Sequence, residues 1–352
     1  MSRKLPKGFS CLRTQPREVP PKYDNIVELI VPRLTMAFHS PLLIALAIGN
    51  LVFFIINQLF GALNMAGVRE WLGIDTNIFG QSVGDASDQR YLEITPSSAT
   101  FSIWGAIYIW QAVWAIYALV NICRRTPDGY VYNSPTLLSA TFFGVSIFNW
   151  MCVITWTFVW GWGHVWVAFV FLAIVFITIY ICIGLSYKAL AQHHDALVKQ
   201  GRKVDIWLMR MLVQNGLAFY GAWCTIATLL NLAMALTYTS HPQFDQSTSS
   251  TIALSILSVE LTVFAISDWT IMDKYSRYTF SPYIVVMVAL SGSMVKNWNP
   301  EKTNSIFTAV LLGVSILCFI TKMVLMFWRH CRDSNRDKVV LPTITEKQNI
   351  RL

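Results

Sequence analysis

Charged residues are scarce. Only 13% of the 352 residues are Asp, Glu, Lys or Arg, whereas soluble domains carry about 25%. So few charges cannot cover a water-soluble body of this size, which excludes an ordinary soluble domain and makes lipid the solvent that suits the chain. The cysteines offer no framework. The seven (Cys11, Cys123, Cys152, Cys182, Cys224, Cys318 and Cys331) contain no CxxC pair, and none falls in a connector assigned to the outer side. A disulfide scaffold and a zinc knuckle are therefore not expected. Residues 1–22 are polar and rich in Pro, Lys and Arg, without the short apolar run of a cleavable signal, so the first span is expected to direct insertion itself. No P-loop, GxSxG, HExxH or paired-carboxylate arrangement occurs, so neither an enzyme nor a metal site is expected. No basic stripe with interleaved aromatics sits in a polar segment, which argues against nucleic acid despite the net charge of +8.

What the chain has instead is apolar length: 55% of it is hydrophobic. Eight segments, near 41–63, 99–122, 136–159, 164–185, 207–236, 252–271, 281–294 and 306–328, reach or approach the roughly 20 residues a helix needs to cross the hydrocarbon core. The seventh is the shortest. The expected fold is all-α, a polytopic transmembrane helix bundle of about eight spans. Charge placement supports the even count. With a cytoplasmic N-terminus, the inner tails and connectors hold 21 of the 27 Lys and Arg, and the outer connectors hold only Arg69, Arg90, Lys296 and Lys302. Arg210 and Lys322 fall inside spans near their inner ends, where long side chains can snorkel. This asymmetry follows the positive-inside rule and puts both termini in the cytoplasm. The outer segment 64–98 is long and acidic, with Glu70, Asp75, Asp85, Asp88 and Glu93 against two arginines; loops of that length are often lids or binding loops. Residues 24–38 carry Ile26, Leu29, Ile30, Leu34 and Phe38 at near-helical spacing, suited to the inner membrane surface.

Aromatic residues are abundant, with 14 Trp, 13 Tyr and 21 Phe. Interfacial belts account for Trp160, Trp162, Trp166, Trp207, Trp269, Trp298 and Trp328 near span ends. Trp110, Trp114, Trp150 and Trp223 lie deeper, as helix packing or as the wall of a pocket for a flat apolar ligand. In the fifth span Gly216, Tyr220, Trp223, Ala227 and Asn231 recur every three or four residues and share a face. Asn149 and Trp156 do the same in the third span, and Trp104, Tyr108 and Gln111 in the second.

Those residues resemble the tryptophan-rich sensory protein, or translocator protein (peripheral-type benzodiazepine receptor), family. Tyr220, Trp223, Ala227 and Asn231 match the Tyr and Trp-x3-Ala-x3-Asn spacing of that family's fifth helix. Trp104 to Tyr108 fits the Trp-x3-Tyr of its second, and Asn149-Trp150 the Asn of its third. Phe219 stands where the family has a proline, and the Trp- and Pro-rich loop motif is reduced to Ile94-Thr95-Pro96. The resemblance implies a five-span core at 40–237, a three-span extension at 238–328 and tails at 1–39 and 329–352. It also implies a hydrophobic pocket for tetrapyrroles such as haem or porphyrin, or for sterols, with the outer loop as lid. Its ligand residues would be Trp104, Tyr108, Asn149, Trp156, Tyr220, Trp223, Ala227 and Asn231. Expected partners are the bilayer, that ligand and a second copy of the chain.

Glu260 supplies a competing reading. A carboxylate near the middle of a span is expensive and marks either a proton- or ion-coupled transporter or an interhelical hydrogen bond. Asp268, nearer the inner interface, is expected to be solvated. His193-His194 lack metal-site spacing and are expected in a solvated loop. Cys123 and Cys331 are juxtamembrane, where palmitoylation is a possibility.

Overall fold

A computed structural model describes residues 39–73 and 80–349, with side chains described as far as Asp333 apart from residues 66, 67, 69, 83 and 84. The surface helix expected at 24–38 and the acid Asp75 lie outside the described residues. Helix α1 (Pro41–Asn64) begins on Ser40, whose hydroxyl accepts the Leu43 N–H at 3.4 Å, and on a proline that needs no N–H partner. The outer segment folds into short helices α2 (Ala66–Leu72) and α3 (Val83–Asp88) and a 3-10 turn (Ser98–Ser102). Then follow α4 (Ile103–Cys123), a two-stranded antiparallel ribbon of β1 (Arg125–Thr126) and β2 (Gly129–Tyr130), and α5 (Ala140–Gly161). Ser139 caps α5 by accepting the Phe142 N–H at 3.2 Å.

The next helix, α6 (Val165–Lys199), is far longer than its apolar segment. Its 35 residues extend for about 52 Å, against about 30 Å of hydrocarbon, so its last turns stand clear of the bilayer. His193-His194 are therefore helical, not in a loop as expected. No proline interrupts the segment, its single glycine, Gly184, stays helical, and Gly201 turns the chain at φ +70°. A second long rod combines α7 (Lys203–Leu208), a π-helical turn (Met209–Gln214) and α8 (Asn215–Thr237). Helix α9 (Gln246–Trp269), capped by Asp245, the short α10 (Asp273–Ser276), α11 (Ser281–Asn297) and α12 (Thr303–Asn349) complete the bundle.

Among the described residues seven helices, counting Ser98–Cys123 and Lys203–Thr237 as one each, are long and apolar enough to cross a membrane. The weak seventh segment of the sequence is α11, a helix of only 17 residues. Its ends nonetheless reach both faces. At one end Ser281 bonds Asn215, at the start of α8; at the other, Asn297 donates to the Thr95 carbonyl of the outer segment at 2.8 Å.

Burial runs inside out compared with a soluble fold. Leu42, Ile48, Val52, Ile55 and Leu59 form an exposed apolar stripe on α1, while the same helix buries Asn50, Phe54 and Asn57. Lipid is the surrounding that stabilises such a surface. The rod α7–α8 is the most enclosed of the spans and forms the spine against which α4, α6, α9 and α11 pack.

Two expectations about charge are corrected. Asp268 is not solvated and Lys322 does not snorkel outward. They form a salt bridge of 2.8 Å, with side chains only 1% and 3% exposed, between α9 and α12. Asp268 also accepts from the Ser276 hydroxyl at 2.5 Å and the Tyr283 hydroxyl at 2.8 Å. Lys322 makes a further bond to the Ser276 carbonyl. With three donors on the carboxylate, burial becomes tolerable, and spacing along the chain gives no sign of it.

Candidate ligand site

Four helices bring aromatic rings to one place. Trp150 of α5 stacks on Tyr220 of α8 with ring centres 5.6 Å apart and planes 10° off parallel. Trp104 of α4 lies edge-on to Tyr220 at 6.3 Å and to Trp223 at 6.2 Å, and stacks on Tyr108 at 5.4 Å. Phe54 of α1 closes one side against Trp150, and Phe101 of the 3-10 turn closes the other against Trp223. Trp150, Tyr220 and Trp223 are fully buried. Edge-to-face and offset contacts at these distances are the favourable arrangements for ring quadrupoles, so the cluster is rigid as well as apolar.

Asn149 organises its polar edge. Its amide nitrogen donates to the Val175 carbonyl and the Thr178 hydroxyl of α6, both at 2.8 Å, and its oxygen accepts from the Tyr220 hydroxyl at 3.2 Å. It thereby ties α5, α6 and α8 and holds the Tyr220 ring in register. Below, Gly216 lets α4 approach: a Cβ there would lie 2.7 Å from Cδ1 of Trp110, and Gln111 donates to the Gly216 carbonyl at 2.9 Å. Phe219, standing where the resembled family has proline, packs on Trp110 with ring centres 5.5 Å apart.

The residues expected at the site are thus partly assembled. Trp104, Tyr108, Asn149, Tyr220 and Trp223 share one cluster. Trp156 stacks instead on Trp160, nearer the outer end of α5, with Arg90 of the outer segment 5.4 Å from the Trp160 ring. Asn231 donates to the Ala227 carbonyl of its own helix at 3.0 Å, and its oxygen is buried without a partner. The indole N–H groups of Trp150, Trp156 and Trp223 are likewise buried without an acceptor. Sequence spacing overlooked Phe54, Asn57 and Phe101. The signal for two of them was present, because Asn50, Phe54 and Asn57 lie four and three residues apart within an apolar span.

The lid is held from an unexpected side. Glu93, 8% exposed, accepts from Asn304 at 2.7 Å and from the Ser247 hydroxyl at 3.2 Å, and pairs with Lys302 at 3.1 Å. Burial alone would raise its pKa, but these hydrogen bonds and the Lys302 charge hold the carboxyl below its ordinary value. Ser97 N–H bonds the Gly292 carbonyl at 3.0 Å, and Tyr238 donates to the Tyr91 carbonyl. A Cβ at Gly292 would collide with the Thr100 hydroxyl. Beneath Ile94 and Pro96 lies a small apolar cavity between α8, α9 and α11.

Glu260 stands apart from the ring cluster. It is half-buried on α9 and lines an apolar cleft with Phe176, Tyr180, Thr225 and Phe264. Its Oε2 is buried with no hydrogen-bond partner. Among the described residues no group of three His, Cys, Asp or Glu could hold a metal ion.

A family model described as TSPO-like protein matches residues 45–324 of the chain. The chain belongs to the TSPO-like family. It is accordingly a multi-pass integral membrane protein. The matched region extends through α9 and α11 and into α12, well beyond the five spans that carry the motifs. No curated protein and no solved structure matches it.

Proposed function

We propose that this TSPO-like protein binds or carries a flat hydrophobic small molecule of tetrapyrrole or sterol type, and that it acts as a binding protein and not as an enzyme. The observation that carries this reading is the pair of indole N–H groups, on Trp150 and Trp223, buried without acceptors in the ring cluster, with a third, on Trp156, nearer the outer end of α5. A buried donor left unpaired costs about 1–3 kcal/mol. A planar ligand with acceptor atoms at its rim, such as the carboxylates of haem or another porphyrin, would stack on these rings and supply acceptors. The outer segment, tied down by Glu93 and Thr95, would close over it.

The test is a titration of the purified full-length protein with a porphyrin, read by Trp fluorescence. Saturable quenching is expected for the wild type. Binding should weaken by roughly tenfold or more in a Trp223→Ala, Asn149→Ala double variant, from lost stacking and lost register. Equal affinity in a double variant that melts normally removes the case for this cluster.

One observation favours a second reading, a proton- or ion-coupled transporter. The unpartnered Glu260 oxygen faces an apolar cleft, where a carboxyl that gains and loses a proton would act as a carrier group. Flux and its pH dependence in proteoliposomes should then disappear in Glu260→Gln; unaltered flux retires the idea.

A further inference from the structure

The π-helical turn at Met209–Gln214 interrupts a rod that would otherwise continue as α-helix, and such turns recur at functional sites. The wider turn is built in: the Asn215 N–H bonds the Arg210 carbonyl, and the Asn215 side chain bonds the Arg210 and Tyr278 carbonyls at 2.9 and 2.8 Å. Its effect is to set Arg210 in the wall of an open vestibule at the basic end of the bundle.

Arg210 is unlike its neighbours. Arg124, Arg202, Arg277, Arg329 and Arg332 each pair with a carboxylate. Arg210 makes no ion pair among the described residues. Its guanidinium lies over the Tyr278 ring at 4.1 Å and near the Trp207 ring at 5.1 Å. The Tyr278 hydroxyl is in turn 2.9 Å from His330 Nδ1, which steadies the shelf. A guanidinium held over a ring face leaves N–H donors for a phosphate, which accepts two of them at once. Lys203 and Lys274 line the same vestibule with no carboxylate partner among the described residues, while of its acids Asp273 and Asp333 are engaged by Arg277 and the exposed Asp195 lies 3.3 Å from His194 Nδ1. Such a wall suits an anionic ligand.

We propose that this vestibule binds a phosphate-bearing anion through Arg210, with Lys203 and Lys274 as supporting charges. Adjoining space favours a lipid as the source. The vestibule shares Tyr187 with an apolar cavity, which shares Tyr180, Phe264 and Pro282 with the apolar cleft of Glu260. A headgroup at Arg210 with its hydrocarbon along this path satisfies both kinds of wall.

The experiment titrates the full-length protein in neutral detergent with a short-chain phosphatidic acid, the diacylglycerol of the same chains, and inorganic phosphate. Phosphatidic acid should bind, and the diacylglycerol should bind at least tenfold more weakly. Arg210→Gln should weaken the phosphatidic acid by roughly tenfold or more, the loss expected when a charge-assisted pair is removed. Arg210→Lys should recover only part, because it restores the charge without the fork, and Arg125→Gln on the exposed ribbon should change nothing. If Arg210→Gln does not fold, a Lys203→Gln, Lys274→Gln double variant carries the test, with a loss of several-fold expected. Binding of inorganic phosphate that depends on Arg210 sustains the site with free phosphate as its source. Binding that is indifferent to Arg210, or equal for the diacylglycerol, overturns it, as does no binding of either phosphate compound.

Discussion

Glu93 is the residue on which lid closure is expected to depend. It is buried, its pKa is held low, and its three partners belong to the tips of α9 and α12. A carboxyl whose folded pKa lies below its unfolded value contributes stability at pH above the unfolded value. That contribution is lost as pH falls through the folded one. Acidification to below the ordinary carboxylate range should therefore loosen the outer segment, seen as faster backbone hydrogen exchange over residues 91–97. In Glu93→Gln the loosening should be present already at neutral pH and should hardly change with acid. An acid response of the same size in that variant would remove Glu93 as its origin. The sequence marked this residue only as one acid in an acidic loop, since its partners lie more than 150 positions away. By contrast, the shared face of Tyr220 and Trp223 was legible, because helical spacing is local and the cluster inherits it.

At the scale of elements, the three long helices beyond α8 do more than lengthen the bundle. They hold the outer segment: Ser247 on α9, Gly292 and Asn297 on α11, and Asn304 on α12 all bond to it. A loop motif reduced to Ile94-Thr95-Pro96 is compatible with a lid in this arrangement, because anchorage has moved from the loop's own rings to neighbouring helices. The Asp268–Lys322 pair in turn fixes α12 to α9, with Tyr283 of α11 as third member. Lys322→Met should cost about 3–5 kcal/mol, because it leaves a carboxylate buried without its cation. A double Asp268→Leu, Lys322→Met variant should recover most of that loss, since removing both charges abolishes the desolvation penalty as well. Thermal melting in detergent measures both. A single variant that melts like wild type would show that water reaches Asp268. Helix number and approximate position could be read from apolar length. The buried pair could not, because a lone Lys near a span end reads the same whether it snorkels or turns inward.

For the whole molecule, sidedness follows from counting crossings and from where the cations lie. Helix α11 has 17 residues, about 26 Å, which is a few ångströms short of the hydrocarbon core. Such a mismatch is accommodated by local thinning or by snorkelling residues at modest cost, and Lys296 stands at its last turn. Its two ends meet Asn215 and Thr95, and we propose that α11 makes an eighth crossing, which would bring α12 back to the face where α1 begins. That same face carries Arg124, Arg125, Arg202, Lys203, Lys274 and Arg277. The opposite face has few cations, and two of these pair with the acidic outer segment: Lys296 with Asp88 at 3.7 Å and Lys302 with Glu93. Acids outnumber cations on that face, and the Lys and Arg bias between the two faces is what sets orientation. Tags fused to the N- and C-termini should accordingly be reached from one side only, the cytoplasmic one, by protease or impermeant label in sealed vesicles of known polarity. A tag inserted after Gly73 should be reached only from the other side. Termini found in opposite compartments would mean that α11 does not cross, and would detach the lid from the helices proposed to hold it.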